Sequence, residues 1–259
     1  MAIISPIHSS DFAVLAVFLA AALYSSVGHG GASAYLAILF LLGADQTQSV
    51  STALILNTLV AGVACISYAR AGYLNLRLTA AFVITSVPAA FIAGSMQVDT
   101  TVYEFLLAFA LVVSALRLLM PLPVAGNGQL SAGRPLKHML TQMYVAGGLI
   151  GFLSGLIGIG GGILLSPLIL IRRWADAKTA SATSAAFIVV NSLAALAGRA
   201  LHQGVSVGSL EILLVAALSG GILGSQLGAN VIPSRHIQFL LALVLLVAAG
   251  KLLIAACHL

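Results

Sequence analysis

The sequence predicts an all-α, polytopic membrane protein made of two homologous four-block repeats, each opening with a helix that is broken, or folded back on itself, at glycine. Three observations point there. The 259 residues are 61% hydrophobic and 7% charged, with a mean hydropathy of +1.13, where soluble domains are roughly half apolar and a quarter charged. Apolar stretches long enough to cross a bilayer as helices, about 17 to 25 residues each, fill nearly the whole chain. Finally, VGHGGASAYL at residues 27–36 and IGIGGGILLSPL at 157–168 interrupt two of those stretches in the same way.

The elements follow in order. The first half contains an apolar block from Phe12 to Leu42, then spans near Gln46–Tyr68, Leu76–Met96 and Thr101–Met120. PLPVAGNGQLSAGRPLK is rich in Pro, Gly and Ser and reads as the linker. The second half repeats the rhythm with blocks near Met139–Ile171, Thr179–Leu201, Val207–Ile232 and Arg235–Ala256. Gly28, Gly30 and Gly31 align with Gly158, Gly160 and Gly161, Ala44–Asp45 with Ala175–Asp176, and Thr52 with Thr183. Asn57–Thr58–Leu59 matches Asn191–Ser192–Leu193 once three residues are inserted. The expected division is therefore a first repeat over 1–121, a linker over 122–138 and a second repeat over 139–259. Paired repeats of this kind are a signature of secondary transporters.

The glycine-containing blocks set the orientation. Each is about 30 residues long, roughly 45 Å as a straight helix against a hydrocarbon core of about 30 Å. Each is either one broken, tilted span or a hairpin that enters and leaves on one side. With eight full crossings, the eleven Lys and Arg divide seven to four between the two sides. With two re-entrant hairpins and six crossings, Arg70, Arg77, Arg117, Arg134, Lys137, Arg172, Arg173, Lys178 and Arg235 share one side, against Arg199 and Lys251 on the other. The second division obeys the positive-inside rule, so the hairpin is preferred. Each repeat then crosses an odd number of times, and the two are inverted relative to each other. A cleavable signal peptide is not expected, because Arg70 is the first basic residue. Cys65 and Cys257 lie in apolar helical sequence and read as packing residues. Arg70 and Arg199, at helix ends, read as snorkelling to the interface.

A helix broken at membrane depth exposes backbone groups that lipid cannot satisfy, so a break implies protein or water partners. At Gly28, Gly30 and Gly31, and again at Gly158, Gly160, Gly161 and Gly162, new half-helices would begin with free N–H groups and positive dipole ends. Glycine allows close approach to that backbone. Two such ends brought together by an inverted repeat would bind a small anion; close helix packing is the competing explanation. Gly220, Gly224 and Gly228, four apart on one helix, read as packing. Asp11, Asp45, Asp99, Glu104, Asp176 and Glu211 all fall in loops or near span ends. No carboxylate is therefore expected at depth to serve a cation or proton path. His29 is the one deep ionisable side chain: it binds an anion as imidazolium or carries a proton, or else stays neutral and hydrogen-bonded within the break. Ser51, Thr52 and Asn57, with Thr183, Ser184 and Asn191, place hydroxyl and amide donors over successive turns, either for the anion or between helices. Pro167 fits the first turn or a kink of the returning half-helix.

The motifs GHGGASAYLAILFLLGADQTQSVSTALILN and GIGGGILLSPLILIRRWADAKTASATSAAFIVVN, one in each half, resemble those of the sulfite exporter TauE/SafE family, also called the toluene sulfonate uptake permeases. The likeness covers almost the whole chain. It implies a multi-pass transporter of the bacterial or archaeal cytoplasmic (inner) membrane that moves small sulfur-containing anions such as sulfite or organosulfonates. The first copy departs from the pattern, with His29 within the glycines and Ala37 where the second copy has Pro167. The expected partners are a small anion and the lipid bilayer, without nucleic acid; self-association into a homo-oligomer is compatible with the sequence. There is no GxxxxGK[ST] or HExxH pattern, so ATP hydrolysis, enzyme chemistry, a metal and a cofactor are not expected. A passive anion channel could use the same helix ends.

Overall fold

The computed structural model describes residues 6–119, 136–206, 210–230, 242–243, 245–247 and 249–254. The described residues form helices joined by short turns, with no strand among them. In chain order the helices are α1 (Pro6–Ser26), α2 (Ala32–Leu41), α3 (Gln46–Arg70), α4 (Leu76–Ser95), α5 (Thr100–Leu119), α6 (Leu136–Ile157), α7 (Gly162–Ile171), α8 (Ala177–His202) and α9 (Leu210–Asn230). Further helical residues lie between 242 and 254. Among the described residues, five helices are long and apolar enough to cross a bilayer: Gln46–Arg70, Leu76–Ser95, Lys137–Ile157, Ala177–His202 and Glu211–Gly228. Linker residues 122–135, half of the block Arg235–Ala256 and Cys257 lie outside the described residues, while 136–138, expected in the linker, open α6.

The local chemistry of the helix starts is plain. Asp45 and Asp176 cap α3 and α8, their Oδ1 atoms accepting from Gln48 N and Thr179 N, each at 2.8 Å, and Asn75 caps α4 through Leu78 N at 3.1 Å. These caps satisfy backbone donors that have no intrahelical acceptor. They give two of the carboxylates a structural task outside any ion path. The outer surface carries exposed Phe12, Leu19, Ile66, Ile84, Phe109 and Leu149, as a bilayer-facing surface requires.

Helix pairs meet backbone to backbone at small residues. Along α1 and α9, Gly220 faces Phe18, Gly224 faces Ala22 and Gly228 faces Ser26, so the two run in the same direction and the glycine ladder is a packing seam. Along α4 and α6, Gly147 faces Phe82, Gly151 faces Ser86 and Gly155 faces Ala90, again in one direction. Helices α4 and α8 have like ends together: Lys178 Nζ donates to Tyr73 Oη at 3.3 Å at their starts, and Gln203 Nε2 donates to Gly94 O at 2.9 Å at their ends. Helices α3 and α8 run oppositely, with Asn57 beside Ser192 and Tyr68, near the end of α3, beside Ser181, near the start of α8. Arg172, just after α7, donates to Gln142 near the start of α6 at 3.4 Å, so the chain doubles back between them.

Candidate functional site

Between α1 and α2, and between α6 and α7, the helix gives way at glycine. Gly31 (φ 95°) and Gly161 (φ 80°) are the N-caps of α2 and α7. Both sit in the left-handed region that suits glycine. Each break then reaches the same side chain. A Cβ on Gly30 would run into the Asn57 amide, and a Cβ on Gly160 would run into Asn57 Nδ2 and meet Ser192 Oγ at 2.8 Å. Asn57, midway along α3 and 1% exposed, uses both ends of its amide. Its Oδ1 accepts from Ala32 N, at the start of α2, at 3.1 Å, and its Nδ2 donates to Ser192 Oγ of α8 at 2.8 Å. One buried asparagine therefore ties together the first half-helix, the second glycine break, α3 and α8.

His29 links the breaks a second time. Its Nε2 lies 3.0 Å from Gly162 O and 3.1 Å from Ser166 Oγ, and Ser166 Oγ lies 2.7 Å from Ser184 Oγ. A carbonyl can only accept, so this geometry assigns a proton to Nε2, which donates to Gly162 O and to Ser166 Oγ; between Ser166 and Ser184 either hydroxyl can be the donor. Tyr24 sits edge-on to the imidazole at 6.4 Å, and its hydroxyl pairs with Ser33 Oγ of α2 at 2.9 Å. His29, Ser166 and Ser184 are all buried. Among the described residues, none of these hydrogen bonds involves a carboxylate.

The remaining sequence candidates divide. Ser51, Thr52 and Thr183 are buried on α3 and α8, and among the described residues Ser51 Oγ and Thr183 Oγ1 have no hydrogen-bond partner. Asn191 does not mirror Asn57: its Nδ2 turns back to Phe187 O at 2.9 Å, its Oδ1 is unpartnered, and the neighbouring Ser192 makes the contact across to α3. Gly28 packs on Ser181, Gly158 on Val50, Gly161 on Phe187 and Gly162 on Ile188. Pro167 lies in the interior of α7, past its first turn.

Arg199 requires a correction. It does not snorkel: it is 3% exposed, while Arg70 is exposed. One turn from the end of α8, its Nη1 donates to Gln203 Oε1 at 3.0 Å and its Nε has no partner. Ser166, Ser192 and Arg199 are the residues that sequence reasoning missed. Ser166 carried a signal, as the one side-chain hydroxyl in the otherwise apolar GILLSPLILI.

The profile of the family described as "Sulfite exporter TauE/SafE" matches residues 13–252. The chain belongs to this family. "Probable membrane transporter protein y4hK" of Sinorhizobium fredii (strain NBRC 101917 / NGR234) is 32% identical over 239 residues, covering 92% of this chain and 96% of the relative. "Probable membrane transporter protein YjnA" of Bacillus subtilis (strain 168) is 26% identical over 250 residues, covering 90% and 95%. No solved structure matches. This TauE/SafE member is thus a multi-pass membrane protein of a transporter family, and its relatives are named for transport rather than enzyme chemistry.

Proposed function

We propose that the chain is a secondary transporter of small oxyanions, sulfur-containing ones such as sulfite or organosulfonates foremost, which it binds where the two glycine breaks meet. The convergence of both breaks on Asn57 carries the reading. Helix N-termini bring N–H donors and a positive dipole end without a mobile counter-charge. Ala32 N–H at α2 is already taken by Asn57, so the start of α7 is the freer donor set. Unpartnered Ser51 Oγ and Thr183 Oγ1 are hydroxyl donors on α3 and α8, the two helices that carry Asn57 and Ser192. His29, whose Nε2–H is already given to Gly162 O and Ser166 Oγ, would add a positive charge when the ring takes a second proton. The sulfur in the preferred substrate comes from the family's name.

Alternating access would arise from two inverted repeats, 1–121 and 139–259, each with a re-entrant hairpin, moving against each other. Several contacts support this arrangement. The pairing of α1 with α9 has its counterpart in that of α6 with α4, and α3 and α8, the second elements of the two halves, run in opposite directions. The return of the chain from α7 to the start of α6 fits a hairpin.

The experiment is a thermal-stabilisation panel on purified protein with sulfite, sulfate, sulfoacetate, taurine and thiosulfate against matched sodium chloride. A ligand of the folded state at a hundred times its Kd stabilises by about 2.7 kcal/mol. At least one of these anions is expected to raise Tm. No response to any of them removes the oxyanion site.

A further inference from the structure

Among the described residues Arg199 is a buried cation without a counter-ion. Among the described residues its guanidinium makes one hydrogen bond, to Gln203, and no carboxylate pairs with it; Nε is buried with no partner at all. Gln203 cannot swing away freely, because its Nε2 is held by Gly94 O and Met96 O. Among the described residues Glu104 makes no hydrogen bond or ion pair with it, and its own buried Oε2 has no hydrogen-bond partner. The carbonyl end of α8 offsets part of the charge. A buried charge left unpaired is among the costliest arrangements a protein keeps, so its retention calls for an anion that arrives from outside the chain.

Its position says what that anion does. Ser192, Ala195 and Arg199 are spaced to share one face of α8, and Ser192 is the residue bonded to Asn57. Arg199 is two turns further on, about 10 Å along the axis, next to the exposed residues Leu201 and His202 at the helix end. It lies within electrostatic range of Tyr103 of α5, whose Oη donates at 3.2 Å to Ile157 O, the last residue before the second glycine break. The cation therefore stands between the α8 end of the bundle and the glycine junction.

We propose that Arg199 is an anion-binding residue, a charged station that receives a small, fully ionised oxyanion entering at the C-terminal end of α8 and passes it to the junction at Asn57. Nε and the outer guanidinium edge are the donors, in the planar fork that suits sulfonate and sulfite oxygens. This inference rests on the oxyanion reading above. It assigns to one side chain the charge that helix dipoles lack.

The test uses the full-length protein with thiosulfate, sulfite and sulfoacetate as probes, comparing Arg199→Gln, Arg199→Lys and Gly160→Ala by binding affinity and by unliganded Tm. Removing a charge-assisted hydrogen bond to the anion should weaken Kd about 10- to 100-fold in Arg199→Gln. Arg199→Lys should recover part of that loss. The unliganded Tm of Arg199→Gln should equal or exceed that of the unsubstituted protein, because the variant no longer buries an unpaired charge. Unchanged Kd in Arg199→Gln overturns the inference, as does a lowered unliganded Tm with no recovery in Arg199→Lys, which would make the arginine a structural residue. If Gly160→Ala loses the anion while Arg199→Gln keeps it, the junction stands and the Arg199 station falls. The reverse pattern leaves Arg199 in place and removes the junction. Failure of all three probes to bind the unsubstituted protein removes both.

Discussion

Asn57→Asp separates the structural task of Asn57 from its place in an anion site. The carboxylate keeps an acceptor for Ala32 N–H, and the Ser192 hydroxyl can rotate to donate to it, so both contacts of the native amide survive with the partners' roles adjusted. A negative charge at the start of α2 also favours the helix dipole. Asn57→Ala lacks these compensations: it strands Ala32 N–H and deprives Ser192 Oγ of its donor. At about 1–3 kcal/mol for each buried group left unsatisfied, the alanine variant should lose about 4 kcal/mol. At 2–4 °C per kcal/mol for a chain near this size, that is roughly 8–16 °C in Tm. The aspartate keeps both contacts but places a carboxylate at a position 1% exposed, and that desolvation lowers its Tm as well. Binding suffers a separate harm. A unit negative charge about 5 Å from a bound anion, at an effective dielectric constant of about 20, costs about 3 kcal/mol, hence a few-hundred-fold in Kd. The assay is titration of the purified variants with whichever oxyanion stabilises the unsubstituted protein, beside their melting curves. An Asn57→Asp variant that folds and binds that anion with native affinity refutes the placement of the site.

Three further outcomes are expected. Gly224→Leu drives a side chain into the Ala22 backbone, so Tm should drop by several degrees, in line with about 1–3 kcal/mol for overpacking, while folded protein keeps its anion affinity within about threefold; melting and titration check both. With native cysteines removed, cysteines placed near Arg77 and Arg173 should label from the cytoplasmic side and one at Gly204 from the periplasmic side; Arg77 and Arg173 labelling from opposite sides would contradict the inverted hairpins. His29→Gln should weaken binding of a permanently ionised sulfonate at acidic pH and flatten its dependence across about pH 5 to 8, converging with the native protein at alkaline pH; identical profiles would leave His29 as a hydrogen-bonding strut.

Much of the fold was legible because helices in lipid announce themselves by length and apolarity. The spans read near Gln46–Tyr68 and Leu76–Met96 emerge as α3 and α4 within two residues, and the Gly220, Gly224 and Gly228 seam packs as its spacing implied. The glycine interruptions were legible too, since runs of glycine inside apolar sequence have few other uses. Partner choice was not. Asn57 and Asn191 occupy matching places, yet one bridges four elements and the other bonds to its own helix; the three-residue insertion before Asn191 shifts which side chain faces α3, and Ser192 takes the contact. Arg199 was misread because a helix-end arginine in lipid usually reaches outward, and nothing in its neighbours along the chain shows that α4 and α5 close over it. Ser166 became visible only once α7 lay against His29.

The most direct test of the account is the concentration dependence of labelled sulfite uptake into proteoliposomes containing the purified protein, measured with and without an imposed ion gradient. A gradient-coupled carrier that binds its anion at the glycine junction gives uptake that saturates with sulfite, rises with the gradient and is lost in Asn57→Asp. Flux that grows linearly with sulfite at every concentration, whatever the gradient, would contradict it and leave an open anion pore in its place.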